Sequence, residues 1–151
     1  MTSGIEEELA RRGRVICPNR GRSMLPLLRE NRDLMVIERR GPERLRRCDA
    51  ILFRRGERYV LHRILRVRKA DYFVAGDNDR RGEIVRDEQI LGRLTQVIRD
   101  GKTLSVEDPG YRFQVRLWCD LYPLRVLIFG LRDGWRALGR RTWKRRKQRK
   151  A

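Results

Sequence analysis

The chain has 151 residues, of which 40% are hydrophobic and 38% are charged. Lys and Arg number 38 against 20 Asp and Glu, so the formal net charge is +18. This length allows one domain with an appendage, and the apolar segments argue against a fully disordered chain. The three cysteines, Cys17, Cys48 and Cys119, form no CxxC pair, which argues against a disulfide framework or a zinc cluster. His62 is the only histidine, so chemistry that needs an imidazole must use it.

The first residues, 1–14, predict a short N-terminal helix. Ser3-Gly4-Ile5-Glu6 has the pattern of a capping box, and Gly13 is expected to end the helix after about Arg12. The same stretch has no apolar run of the kind that a secretory signal needs. The longest apolar run near the other end, Val126–Leu131, is far shorter than the ~20 residues of a spanning helix. We therefore expect a protein of the cytoplasm, or one held peripherally on the inner face of the cell membrane.

Residues 15–107 predict a β domain. Short runs rich in Val, Ile, Leu, Phe and Tyr alternate with turn residues such as Gly41-Pro42 and Asp100-Gly101. Many short strands with tight turns are typical of a closed or sandwiched antiparallel fold, so the expected class is mainly β. The predicted strands are Val15–Cys17, Leu34–Glu38, Ala50–Arg54, Tyr59–Val67, Tyr72–Gly76, Leu91–Ile98 and Thr103–Val106.

Residues 108–151 predict a basic amphipathic helical tail with a disordered end. From residue 111 onward the chain has 13 Lys and Arg against 2 Asp and Glu. Apolar residues recur at steps of three and four, which indicates a helix, and Pro123 is expected to begin or kink one. This apolar stripe consists of Leu117, Leu121, Leu124, Ile128, Leu131, Trp135 and Leu138. The run 144–150 is a block of charge typical of a disordered end.

Three kinds of partner fit this tail. A helix with apolar side chains on one side and Arg on the other can lie in an anionic membrane surface, where each basic residue adds ~1 kcal/mol. The same stripe also fits packing on the β domain or against a second copy. Nucleic acid is a third partner for such charge, but the chain has no recognition helix or base-stacking motif, so such binding is expected to be nonspecific.

Three short segments of the β region carry groups suited to hydrolysis. They contain Ser23 before a Met-Leu-Pro turn, His62 inside a predicted strand, and Asp77 in the turn Gly76-Asp77-Asn78-Asp79. A serine hydroxyl needs a base to become a nucleophile, and the only histidine can supply it. A carboxylate can then fix the imidazole tautomer and stabilise the imidazolium. Each segment alone also fits an ordinary turn or a structural histidine.

Together these segments resemble the signal peptidase I and LexA-type serine peptidase superfamily. Ser23-Met24-Leu25-Pro26 is similar to its Ser-Met-x-Pro box, and Gly76-Asp77-Asn78 to its later Gly-Asp-Asn box. His62-Arg63-Ile64 is similar to the His-Arg box of the archaeal, endoplasmic-reticulum and SipW-like branch. The match covers about residues 15–99, because three further runs resemble family strands: Asn31–Val36, Cys48–Phe53 and Ile90–Leu94.

The resemblance implies a signal-peptidase/LexA-like antiparallel β fold and a serine endopeptidase that uses no metal or other cofactor. It makes Ser23 the nucleophile, His62 the general base and Asp77 the first choice of orienting acid. Asp79 or Glu83 is the alternative as a second acid, and the sequence does not decide between them. The implied substrate is an extended peptide, such as a leader or signal peptide of a precursor protein, which pairs with strand edges.

Two positions of this chain depart from the family pattern. The box that holds the nucleophile consists of Gly21, Ser23, Met24 and Pro26, and Gly21 stands where the family often has Ser or Thr. Backbone N–H groups such as that of Ser23 are then left to bind the oxyanion. Cys48 stands where the family usually has Gly. The alternative function is a catalytically inactive peptide-binding or adaptor module with a basic tail, and a nonspecific nucleic-acid binder is the third hypothesis.

Overall fold

The protein is mainly β, and this prediction from the sequence is confirmed. The computed structural model describes residues 3–128 and Gly130. The chain divides into two compact units, Met1–Cys119 and Asp120–Ala151. The helices and strands are α1 Ser3–Arg12, β1 Arg14–Pro18, β2 Asp33–Arg39, β3 Ala50–Arg55, β4 Arg58–Val67, β5 Asp71–Ala75, β6 Glu83–Arg86, β7 Ile90–Arg99, β8 Lys102–Ser105 and α2 Pro109–Asp120, with a 3-10 turn at Asp87–Gln89.

The eight strands form one antiparallel sheet with the order β1-β2-β7-β3-β4-β5-β6, and β8 pairs with β7 beside β3. The ten-residue strand β7 connects the two halves of the sheet, because both of its edges pair with other strands. One edge pairs with β2 along most of its length, while the other pairs with β3 at its start and with β8 at its end. The predicted closed or sandwiched arrangement is therefore found as one sheet rather than two.

The sheet carries apolar side chains on both of its faces, because successive residues of a strand point to opposite sides. One core cluster contains Leu52 of β3 together with Leu9 of α1 and Met24 of the loop between β1 and β2. A second of the three core clusters contains Ile51 and Phe53, the residues on either side of Leu52. The buried strand β3 thus separates the two clusters, and α1 and the Met24 loop cover the first of them.

The predicted elements of the first unit agree closely with the observed ones. All seven predicted strands are present, each within one residue of its expected ends. The helix α1 ends as expected, because Gly13 adopts φ of +71° and its N–H donates to the Leu9 carbonyl at 3.0 Å. The four-residue strand β6, in which only Val85 is buried, was not predicted from the sequence.

The helical tail is described only in part. Helix α2 buries Val115 and Cys119, whereas Leu117 of the predicted apolar stripe is 50% exposed. In the second unit residues 122–128 are helical, and Pro123 lies in the first turn, where a missing N–H costs no hydrogen bond. The other predictions for 131–151, including the charge block, lie outside the described residues. Between residues 3 and 128 no helix has the length and apolar character that crossing a bilayer requires.

Candidate active site

Ser23 lies in a turn between β1 and β2, directly before a residue of the core. The Met24 side chain is 1% exposed, so it anchors this turn in the first core cluster. The Leu28 N–H donates to the Met24 carbonyl at 2.9 Å, and the Leu25 N–H donates to the Arg22 carbonyl at 3.3 Å. The half-buried Ser23 is therefore carried by a backbone that packing and hydrogen bonds hold in one place.

The backbone before Ser23 requires a glycine. Gly21 has φ of +120°, a conformation that residues with a Cβ rarely adopt. A Ser or Thr would be strained here, which accounts for glycine at a position where the family that the sequence resembles often has Ser or Thr. The Ser23 N–H has no acceptor within the described part of the chain, so it is available to donate to an oxyanion.

The turn Gly76–Asp79 follows β5 and packs directly against Ser23. The Asn78 N–H donates to the Ser23 carbonyl at 2.6 Å, and the Asp79 N–H donates to the Gly76 carbonyl at 3.0 Å. A Cβ at Gly76 would lie only 2.8 Å from the Ser23 carbonyl oxygen, and closer still to Oδ2 of Asp79. The close approach of both groups therefore requires glycine at this position, and two of the three predicted segments are in contact.

His62 lies in the middle of β4, is 5% exposed, and lies between two carboxylates. Its Nε2 is 3.4 Å from Oδ2 of Asp79, and its Nδ1 is 3.1 Å from Oε1 of Glu83. The contact between Nδ1 and Oε1 is close, but its geometry is not that of a hydrogen bond. Phe53 packs edge-on against the imidazole with 5.8 Å between ring centroids. The ring is therefore enclosed by an aromatic side chain and two acids.

The surroundings of His62 keep its imidazole neutral. Burial lowers the pKa of His62 to about 4, and the positive charge of Arg55 acts in the same direction. Burial also raises the pKa of Asp79, an effect that Arg55 opposes. A neutral imidazole has one N–H and one lone pair, so it can donate to only one of its two acidic neighbours. At pH 7 the other nitrogen is free to accept a proton, as a general base must.

Asp77 has a different partner from the one that the resemblance implies. Arg63 donates from Nε to Oδ1 of Asp77 at 2.8 Å and from Nη2 to Oδ2 at 2.7 Å. Asp77 is 1% exposed, and Trp118 Nε1 donates to its carbonyl at 3.1 Å. The first choice of orienting acid is therefore corrected, because both Asp77 oxygens serve the guanidinium of Arg63. The carboxylates beside His62 are those of Asp79 and Glu83, the two alternatives.

The structure gathers Ser23, His62, Asp79 and Glu83 around the turn that follows β5. The Asp79 carboxylate is the link, since it lies beside Nε2 of His62 and over Gly76, which also approaches the Ser23 carbonyl. Within the described residues, no hydrogen bond joins the Ser23 hydroxyl to either nitrogen of His62. In this structure a carboxylate therefore lies at Nε2, and the side chain of Asp79 is 40% exposed.

Sequence reasoning missed the structural roles of Arg63 and Phe53 and the position of Arg55. Arg63 was recognised only as part of the His-Arg box. The alternation of side chains along a strand could have predicted that Arg63 faces the side of the sheet opposite His62. Arg55 donates to Oε1 of Glu83 at 3.0 Å, a contact between distant parts of the chain that no local pattern indicates.

The first unit offers acids and one imidazole but no ligand cluster. Within residues 3–128, no group of three or more His, Cys, Asp or Glu side chains is arranged to hold a metal ion. Comparison of the chain with protein-family models finds no match, and comparison with curated proteins finds none either. The family resemblance therefore rests on the sequence boxes alone, and function must be inferred from the geometry around His62.

Proposed function

We propose that this protein is a serine endopeptidase of the signal-peptidase type. One observation carries the proposal: the Ser23 turn and the imidazole of His62 both contact the turn after β5. The Asn78 N–H donates to the Ser23 carbonyl at 2.6 Å, and the carboxylate of Asp79 lies 3.4 Å from Nε2 of His62. A serine and a neutral imidazole beside the same turn are the minimum that this chemistry needs.

The proposed reaction begins when Asp79 moves aside and the Ser23 hydroxyl reaches Nε2 of His62. Nε2 takes the hydroxyl proton while Oγ bonds to the carbonyl carbon of the peptide, and the Ser23 N–H stabilises the oxyanion. The imidazolium then gives its proton to the leaving amine as the C–N bond breaks. A water molecule, deprotonated by the same imidazole, hydrolyses the acyl-enzyme and restores Ser23.

The two acids differ in where they meet the imidazole. Glu83 lies at Nδ1, on the side of the ring away from Nε2, so it is suited to orient the ring and stabilise the imidazolium. Asp79 lies at Nε2, the nitrogen that must face the hydroxyl. We therefore assign the orienting role to Glu83, and we assign to Asp79 the covering of the base in the resting enzyme.

The proposed substrate is an extended peptide in a leader or precursor protein. The end strands of the sheet, β1 and β6, both adjoin the site, because β1 leads into the Ser23 loop and β6 begins at Glu83. A peptide can add to such a strand through backbone hydrogen bonds. Small side chains near the cleaved bond are the preference that the resemblance implies. The basic tail is the proposed contact with an anionic membrane surface, which would hold the enzyme peripherally on the inner face.

The proposal is tested by incubating the full chain with a diverse peptide library and identifying new termini by mass spectrometry. We expect cleavage by the natural protein and by Ser105→Ala, which removes a different partly buried serine hydroxyl. Ser23→Ala should abolish cleavage, and His62→Gln should slow it by about 10²–10⁴-fold. Circular dichroism of each variant controls for folding. Cleavage that persists in Ser23→Ala would show that another group is the nucleophile.

One observation favours the noncatalytic alternative, a peptide-binding module. In the resting structure a carboxylate rather than a hydroxyl lies beside Nε2 of His62. If this arrangement is permanent, the folded natural protein will cleave no peptide. Its affinity for extended peptides will then equal that of Ser23→Ala. The same library, passed over immobilised protein, therefore distinguishes the two functions.

A further inference from the structure

A second concave site lies at the start of α2, where arginines from four separate parts of the chain meet. The loop before β3, strands β4 and β7, and the first turns of α2 enclose a cavity of about 640 Å³. That volume is typical of sites for small molecules. Six arginines line it: Arg46, Arg47, Arg63, Arg93, Arg112 and Arg116.

The positive charge of this cavity is only partly neutralised. The lining includes two carboxylates, Asp49 and Glu107, which lie 3.8 and 3.7 Å from Nη1 of Arg93. With Asp77 bound to Arg63 and both lining carboxylates beside Arg93, the guanidinium groups of Arg46 and Arg116 are left as an excess of positive charge. The side chains of Arg46 and Arg116 have no carboxylate partner among the residues that the structure describes. A concave surface with unbalanced charge attracts anions strongly.

Two further groups at the cavity have unused hydrogen-bonding capacity. The hydroxyl of Tyr111, which lines the cavity, is buried and has no hydrogen-bond partner within the described residues. Helix α2 begins at the lining residue Pro109, directly after Asp108, and the first N–H groups of a helix have no acceptor within the helix itself. Phe113 also lines the cavity and is 72% exposed, so it offers a stacking surface.

We propose that this cavity binds the oligophosphate group of a small molecule, either a nucleoside di- or triphosphate or free oligophosphate. Several guanidinium forks around one volume match the closely spaced oxygens of linked phosphates. The two unpartnered guanidinium groups, Arg46 and Arg116, lie on separate segments of the lining, which favours a ligand with more than one phosphate group. A long polyanion such as nucleic acid would instead bind along an exposed surface rather than within a cavity. The proposal does not depend on proteolytic activity.

Isothermal titration of the full chain in about 150 mM salt tests the site with inorganic triphosphate, ATP and adenosine. Arg46→Gln/Arg116→Gln removes the two unpaired cavity charges. The matched control is Arg14→Gln/Arg58→Gln, which removes the same net charge at exposed positions outside the cavity. We expect the cavity variant to weaken triphosphate binding by about tenfold or more and the control to change it by less than about twofold.

The remaining outcomes identify the ligand or overturn the site. Tighter binding of ATP than of triphosphate indicates a nucleotide whose base stacks on Phe113, and equal binding indicates free oligophosphate. Tyr111→Phe, which removes only the unpartnered hydroxyl, should weaken either ligand by a few fold. Equal losses in the two double variants, or no binding of triphosphate by the natural protein, would overturn the proposal. Tighter binding of an acidic peptide than of triphosphate would also do so.

Discussion

Arg63 and Asp77 form a bidentate ion pair with N–O distances of 2.8 and 2.7 Å, and both side chains are almost fully buried. The neighbouring residue, His62, faces the opposite side of β4 and meets Asp79. The dipeptide His62-Arg63 therefore holds the turn after β5 at two points. One point is the buried ion pair, and the other is the contact of His62 with Asp79, whose side chain is 40% exposed.

Breaking the buried pair should destabilise the fold. Asp77→Ala leaves the guanidinium of Arg63 buried without its partner, so we expect the free energy of unfolding to fall by about 3–5 kcal/mol. The matched control is Asp71→Ala, which removes an ion pair to Arg68 whose side chains are 20% and 52% exposed. That change should cost at most about 1 kcal/mol. Urea denaturation measures both, and equal losses would contradict a special role for Asp77.

The position of Glu83 predicts the larger catalytic effect for this acid. Glu83→Gln removes the charge at Nδ1 that stabilises the imidazolium, so kcat should fall by about 10²–10⁴-fold with little change in KM. Asp79→Asn removes the charge at Nε2, where the hydroxyl must come, so kcat should stay within about tenfold of the natural value. The two variants are compared on a peptide found in the library experiment. The reverse order of effects would assign the orienting role to Asp79.

The buried imidazole predicts acid sensitivity in a defined range. The pKa of His62 is lowered from 6.5 to about 4 in the folded protein, so between these values the unfolded chain binds a proton that the folded protein does not. Stability from this group is present above pH 6.5 and is lost as the pH falls towards 4, by roughly 3 kcal/mol in total. Unfolding of the natural protein and of His62→Gln, followed across this range, isolates the effect. Parallel pH profiles would show that His62 is not responsible.

Cys48 is strained because φ is +77° at a residue with a Cβ. The position cannot relax easily, since the Cys48 N–H donates to the Ile64 carbonyl at 2.8 Å and its carbonyl accepts from Arg63 Nη1 at 3.0 Å. Both Cys48→Gly and Cys48→Ala lose the thiol, but only glycine relieves the backbone. We expect the glycine variant to be the more stable of the two by about 1 kcal/mol. Thermal or urea unfolding of the two variants measures this difference in stability. Greater stability of the alanine variant would refute the strain.

Much of the sheet could be predicted because its strands follow simple patterns. β3 begins with four apolar residues and β4 is rich in apolar and β-branched residues, and the ends of both strands were predicted within one residue. β6 was missed because it is only four residues long and has a single buried side chain, Val85, so its pairing with β5 rather than its own sequence defines it. The described part of the predicted tail stripe is exposed. Helix α2 turns Val115 and Cys119 inward, and Leu117 is left half exposed.

The candidate site was only partly predictable. The motifs identified Ser23 and His62 because their residue types have few other representatives in the chain. They placed Asp77 first and named Asp79 and Glu83, the acids beside His62, only as alternatives, because the choice among nearby carboxylates depends on side-chain direction. Asp77 and Asp79 are two residues apart in one turn, yet one meets Arg63 and the other meets His62. Only the fold distinguishes them.

Under the proposed function, the alternation along β4 separates Arg63, which the fold needs, from His62, which the reaction needs. A substitution at His62 or Glu83 can silence the chemistry and leave the ion pair on the other face intact, whereas a change at Arg63 threatens the whole molecule. Related proteins that have lost the activity should therefore differ at His62 or Glu83 and retain Arg63. A single substitution at His62 should thus give a folded variant that binds its peptide without cleaving it.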